Sequence, residues 1–156
     1  MGEMSETPKV WIYPHQSKHV GGLGIDQFRK DLEMKMSSLP SWERHWGQGD
    51  KGPLSAKKGD VVIFSFNEIG TWKVVGDAVV LYEGISEGYD DCAESKGQEW
   101  NACYHFESFR LYPRSIAYSE LDKSLDSFKP NARQVVKLTG DDYLRMLKLT
   151  VGDQAD

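Results

Sequence analysis

Cysteine is scarce in this chain of 156 residues: Cys92 and Cys103, with no Cys-x-x-Cys pair. So small a complement makes no disulfide framework and agrees with a reducing compartment. Structural zinc is disfavoured too. Histidine adds only His15, His19, His45 and His105, and Pro14 with Gly21-Gly22 keeps the first two off a common helix face. No apolar run approaches the length of a membrane span. Met1–Lys9 is polar and has no apolar stretch of the signal-peptide kind. The expected setting is the cytoplasm.

Several catalytic signatures are missing as well. There is no P-loop, and Gly21-Gly22-Leu23-Gly24 lacks the dinucleotide spacing. No Gly-x-Ser-x-Gly elbow occurs. Asp90-Asp91 and Asp141-Asp142 are sequence neighbours, which is not the geometry of a carboxylate pair; Asp141-Asp142 suits a helix N-terminus. Cys103 and His105 share a strand face, but a buried inert cysteine is the simpler reading. No catalytic residue, metal ligand or cofactor is expected.

Positive charge is in deficit overall. The net charge is −5, which argues against non-specific coating of nucleic acid. The distribution is uneven. Glu83–Glu99 carries six acids against Lys96 alone, whereas Lys9–Lys58 carries nine bases against five acids. A locally basic face can coexist with an acidic total.

What is abundant is β-forming sequence at the centre. Val61–Phe66 and Lys73–Leu81 are apolar runs separated by Asn67–Gly70, the pattern of a hairpin. Both runs are apolar nearly throughout, so both faces should be covered. Val10–Tyr13 reads as a first strand, stopped by Pro14. Ile25, Phe28, Leu32, Met36 and Leu39 recur at helical spacing, and Ser37-Ser38 with Pro40 ends that helix. Ser41–Lys58 reads as a long irregular loop, and Glu83–Glu99 as an exposed one. Trp100–Leu111 reads as a strand with Phe106, Ser108 and Arg110 on one face, broken by Pro113. Ser119 and Thr139 are expected to cap two further helices, with Asp122 and Asp142 three residues on. Arg133–Leu138 is the last strand. Tyr143, Leu144 and Leu147 are the expected core contacts of the last helix. One domain over residues 10–150 is expected, between a disordered 1–9 and a frayed 151–156. The mixed order favours an α+β fold with a small curved sheet or barrel.

Five tryptophans are many for this length. Trp42, Trp46 and Trp100 lie in or beside polar loops, where a core is harder to reach. An exposed indole suits stacking on a flat ligand, and a base between two rings gains roughly 1–3 kcal/mol per stack. Capping the ends of the sheet is the competing reading.

The run Gly59-Asp60-Val-Val-Ile-Phe-Ser-Phe-Asn-Glu-Ile-Gly-Thr-Trp-Lys-Val-Val-Gly-Asp-Ala resembles the central hairpin of the PUA-like superfamily, in its EVE and YTH branches. Trp46-Gly47 and Leu54–Asp60 are similar to the segment leading into that hairpin, and Val10–Pro14 to the opening strand. The resemblance extends over most of Lys9–Leu149. It implies a PUA-like mixed β-barrel with two or three flanking helices. It also implies a non-catalytic domain that binds a modified base of DNA or RNA, flipped into an aromatic cage. Related domains serve McrB-like modification-dependent restriction systems, so an effector nuclease or motor is expected elsewhere. By resemblance Trp46 is the first cage wall, and Trp100 or Tyr89 the second. Tyr13, His15, Gln16 and Ser17 fall where the base edge is read. Lys18, Arg44 and Lys51 are the phosphate contacts. The acidic Glu83–Glu99 loop departs from this pattern and must face away from phosphate. Two rivals stand beside it. One is a small enzyme of the same fold using His105 with Glu107 or Cys103. The other is a module whose aromatic pocket takes a peptide or small molecule.

Overall fold

The hairpin at the centre of the sequence lies in the interior of a mixed sheet. The computed structural model describes residues 8–16, 24–38, 45–47, 56–68, 70–85, 102–128 and 136–151. In chain order these form β1 (Val10–Gln16), α1 (Ile25–Ser38), β2 (His45–Gly47), β3 (Val61–Glu68), β4 (Thr71–Ile85), β5 (Ala102–Ala117), α2 (Tyr118–Ser124), β6 (Val136–Leu138) and α3 (Gly140–Thr150). The sheet has six strands in the order β2-β5-β4-β3-β1-β6. β1 runs parallel to β3; the other neighbours are antiparallel.

The α+β class holds, but the expected barrel is corrected to an open sheet. Closure needs a ladder between the two edge strands. β2 pairs with β5 and β6 with β1, and among the described residues they do not pair with each other.

The hairpin is apolar on both sides because both sides are buried. Val62, Phe64 and Phe66 join Phe28 and Leu32 of α1 in one core. Ile63 and Val74 face the other way, into a core with Leu121, Leu125, Leu138 and Met146. Phe28 and Leu32 are fully buried. Each such side chain is worth about 1.5–3 kcal/mol, enough to hold α1 on the sheet. Phe28 stacks on Phe66 at 4.6 Å between centroids.

Several local expectations are corrected. β1 continues through Pro14 to Gln16. Lys9 turns its carbonyl to β3, so alternation turns residue 14 to the opposite side. Among the described residues β6 pairs with β1 only as far as Ile12, so no ladder bond described there calls for an N–H at residue 14. β5 likewise passes Pro113, which sits where β5 carries extra residues relative to β4 between the Gly76–Leu111 and Val74–Ile116 pairs. Phe106 and Phe109, which the alternation of a regular strand would put on opposite faces, both lie on the α1 side. A bulge between Asp77 and Val79 inserts one residue, and Ser108 takes φ 56° there. β4 reaches Ile85, into the expected acidic loop; residues 86–101 lie outside the described ones. The cap of α2 is Ala117, without a side-chain bond, rather than Ser119. Thr139 caps α3 as expected, its Oγ1 accepting from Asp142 N at 3.2 Å. On α3, Tyr143 and Leu147 pack against the core as expected and Met146 is fully buried in it, whereas Leu144 is exposed.

Candidate functional site

The expected first cage wall, Trp46, stands at the middle of β2, a strand set inside the stretch expected to be irregular. Three residues are too few to show alternation. What makes the strand is pairing with a distant partner: His45, Trp46 and Gly47 stand opposite His105, Tyr104 and Cys103. At that level β5 also pairs with Tyr82, Glu83 and Gly84 of β4, beyond the part of β4 that pairs with β3. Trp46 therefore lies at the end of the sheet remote from the β3–β4 turn.

The base-edge candidates lie elsewhere on the ladder. His15 and Gln16 end β1, opposite Phe66 and Asn67. β5, β4 and β3 stand between them and β2. The strand pairing itself does not bring Trp46 and the end of β1 together. Tyr13 is buried on the α1 side, and its hydroxyl accepts the Ala56 N–H at 3.0 Å. That bond ties the segment arriving from β2 directly onto β1. Ser17, Lys18, Arg44, Lys51, Tyr89 and Trp100 lie outside the described residues.

Near the end of β1, Asn67 Oδ1 is buried without a hydrogen-bond partner among the described residues. Beside it, Glu68 Oε2 accepts the Ile25 N–H at 3.2 Å and so holds the start of α1. Neither residue was singled out by the sequence. An orphaned buried acceptor depends on packing and leaves no mark in composition.

On the opposite face a polar cluster links the sheet to α3. Asp77 is buried, and its carboxylate accepts Arg110 Nε at 3.0 Å, Tyr112 Oη at 2.6 Å and Tyr143 Oη at 2.7 Å. Burial, together with the Asp77 charge, raises the Tyr112 hydroxyl well above its ordinary range. The cluster is satisfied from within, so it reads as a structural tie. The other described arginines are committed similarly. Arg29 donates to Ser115 Oγ and the Tyr112 carbonyl, Arg114 pairs with Glu120, and Arg145 pairs with Asp126 and Asp142. Among the described residues, no group of three or more His, Cys, Asp or Glu is placed to hold a metal ion. No helix among them is long and apolar enough to cross a membrane.

Comparison with protein-family profiles and with characterised proteins by sequence gives no match. Comparison of structures does. The chain is similar to human THYN1 protein in complex with 5-methylcytosine containing DNA, with a TM-score of 0.56 at 12% identity, covering 95% of this chain and 99% of that one. It is similar to the YTH domain of Zygosaccharomyces rouxii MRB1 protein in complex with N6-methyladenosine RNA, with a TM-score of 0.51 at 16% identity, covering 99% and 94%. A mutant of ZmASCH from Zymomonas mobilis gives a TM-score of 0.54 at 12% identity, covering 90% and 96%. At such identities the likeness is one of fold.

Proposed function

Because the chain has the PUA-like fold of EVE- and YTH-type domains, we propose that it is a non-catalytic reader of a modified, methylated base in DNA or RNA. The observation that carries this is that two structures of the same fold are complexes with nucleic acid bearing a methylated base. In this reading the base is flipped out and stacked on Trp46, with Trp100 or Tyr89 opposite. His15, Gln16 and Ser17 read its edge, which requires the end of β1 to be brought to Trp46 by the path of the chain outside the ladder rather than by strand pairing. Tyr13 positions the Ala56 segment through its hydroxyl. Lys18, Arg44 and Lys51 contact phosphate. Flipping costs a few kcal/mol, which stacking of roughly 1–3 kcal/mol per ring must offset. Residues 10–150 act as one domain in the cytoplasm, and any effector nuclease or motor lies on another chain or in a further region.

The test is Trp46→Ala. The expected result is native-like circular dichroism with binding to a methylated oligonucleotide weakened about tenfold or more, and with loss of preference over the unmodified twin. Unchanged affinity in a folded variant would falsify the cage assignment. Turnover of the oligonucleotide by the wild-type protein, abolished in His105→Ala, would replace the reader with an enzyme.

A further inference from the structure

One corner of the molecule gathers lysines from three separate segments. Lys9 precedes β1, Lys58 lies in the turn before β3, and Lys137 is on β6; all three are exposed. A buried carboxylate sets their frame. Asp60, 7% exposed, accepts the Lys9 N–H at 3.0 Å, Trp11 Nε1 at 3.1 Å and the Lys57 N–H at 3.0 Å. The turn is stitched to both neighbours: Val61 N donates to the Lys9 carbonyl at 2.9 Å, and Gly59 N to the Val80 carbonyl at 2.8 Å. Gly59 has φ 90°, a conformation that suits glycine. Lys137 stands opposite Trp11, with Nζ 5.6 Å from the ring centroid.

The frame matters for charge. Asp60 gives its oxygens to neutral N–H donors and makes no direct ion pair with a lysine among the described residues, so its single negative charge offsets the three lysines only in part. Lys137 is held over an indole face, which attracts a cation without neutralising it. Lys9, Lys58 and Lys137 form no ion pair among the described residues, whereas the described Arg110, Arg114 and Arg145 all do. Three ammonium groups with no ion pair among the described residues thus stand around the one Asp60 carboxylate, on a corner of a chain whose net charge is −5. Ala56, tied to Tyr13, adjoins this turn and ends the segment that carries Trp46.

We propose that Lys9, Lys58 and Lys137 are a contact surface for the sugar-phosphate backbone of the nucleic acid. This rests on the reader function proposed above. Each lysine that neutralises a phosphate releases condensed counterions, giving a salt slope of about −0.9 per contact on a duplex and about −0.7 on a single strand. Such contacts position the strand and carry no base information.

The experiment is a fluorescence-anisotropy titration over a range of KCl. The probes are labelled duplex DNA with one 5-methylcytosine, single-stranded RNA with one N6-methyladenine, and the unmodified twin of each. The proteins are the wild type, the triple variant Lys9→Gln/Lys58→Gln/Lys137→Gln, the triple Lys→Arg variant and Trp46→Ala. The glutamine variant is expected to bind modified and unmodified probes equally more weakly, by about tenfold or more at low salt. Its salt slope should be shallower by about 2–3. Arginine should restore both quantities, and thermal unfolding should match the wild type. An unchanged slope and affinity in the glutamine variant, with Trp46→Ala still losing the methyl preference, overturns the lysine surface and leaves the reader standing. The shallower slope without any wild-type preference for a modified base keeps the surface and overturns the reader. No binding of any probe by the wild type overturns both.

Discussion

A Cβ on Gly76 would lie 2.6 Å from the Arg110 carbonyl oxygen and 3.3 Å from Leu111 Cα. Both atoms are backbone, so neither can swing aside. Gly76→Ala must therefore push β4 from β5 beside the Asp77–Arg110 pair, next to a carboxylate holding three side chains. The expected cost is about 1–3 kcal/mol, the range for overpacking a filled interior. A urea midpoint that stays at the wild-type value would show that the strands have room. In the sequence, Gly76-Asp77-Ala78 is part of the resemblance, but nothing local says why glycine stands there. The reason lies in Arg110 and Leu111, on β5, a strand that begins only at Ala102. Asp77 is hidden for the same cause: its partners Arg110, Tyr112 and Tyr143 come from two other elements.

Elements whose signals are local were legible, and those made by distant pairing were not. Thr139 with an acid three residues on predicts the start of α3, and the cap bond is there. Asp142 does more than cap. It is 1% exposed and accepts the Asp126 N–H at 3.2 Å, the Ser127 N–H at 2.5 Å and the Ser127 hydroxyl, with Arg145 Nη1 at 2.8 Å. Burial alone would raise its carboxyl, but the bonds from Ser127 and Asp126 and the Arg145 charge hold it below the ordinary value. Stability from this group is therefore present above the unfolded-state value of about 3.9 and is lost as pH falls through the lower folded one. Asp142→Asn should cost about 1.5–3 kcal/mol at neutral pH, the range for hydrogen bonds to a charged group. The gap to wild type should narrow as the medium is acidified below about pH 4. Denaturation curves giving the same gap at neutral and acid pH would contradict this. By contrast β2, made only by facing β5, left no pattern to read, and β1 and β5 run past Pro14 and Pro113. Proline forbids a strand only where its missing N–H was needed, and that depends on neighbours the local sequence does not show.

At the scale of the molecule, the two-sided sheet was legible because the apolar runs of β3 and β4 have no solvent face. The open edges were not, since closure depends on how far β2 and β6 extend. The site was legible only as an address: the hairpin locates the flanking loops, while most of the residues in them fall outside the described ones. The α2- and α3-side core makes a claim about the whole fold. Burial pushes the Tyr118 hydroxyl up to about 12, with its 2.9 Å bond to Ser65 acting the other way. Burial and the Asp77 carboxylate raise Tyr112 and Tyr143 as well. All three are neutral in the folded chain at pH values where an unfolded tyrosine, near 10, ionises. Their stabilisation is therefore complete below about pH 10 and drains away as pH rises above it, that of Tyr118 over the range up to its folded value of about 12. Because Tyr112, Tyr118 and Tyr143 share one cluster with the ends of β4 and β5 and with α2 and α3, their ionisation should unfold the chain as a unit. A late step in phenolate absorbance should coincide with loss of far-ultraviolet ellipticity, and Tyr118→Phe should make the alkaline loss of stability shallower. Complete phenolate titration near pH 10 with ellipticity intact would mean that this core admits water.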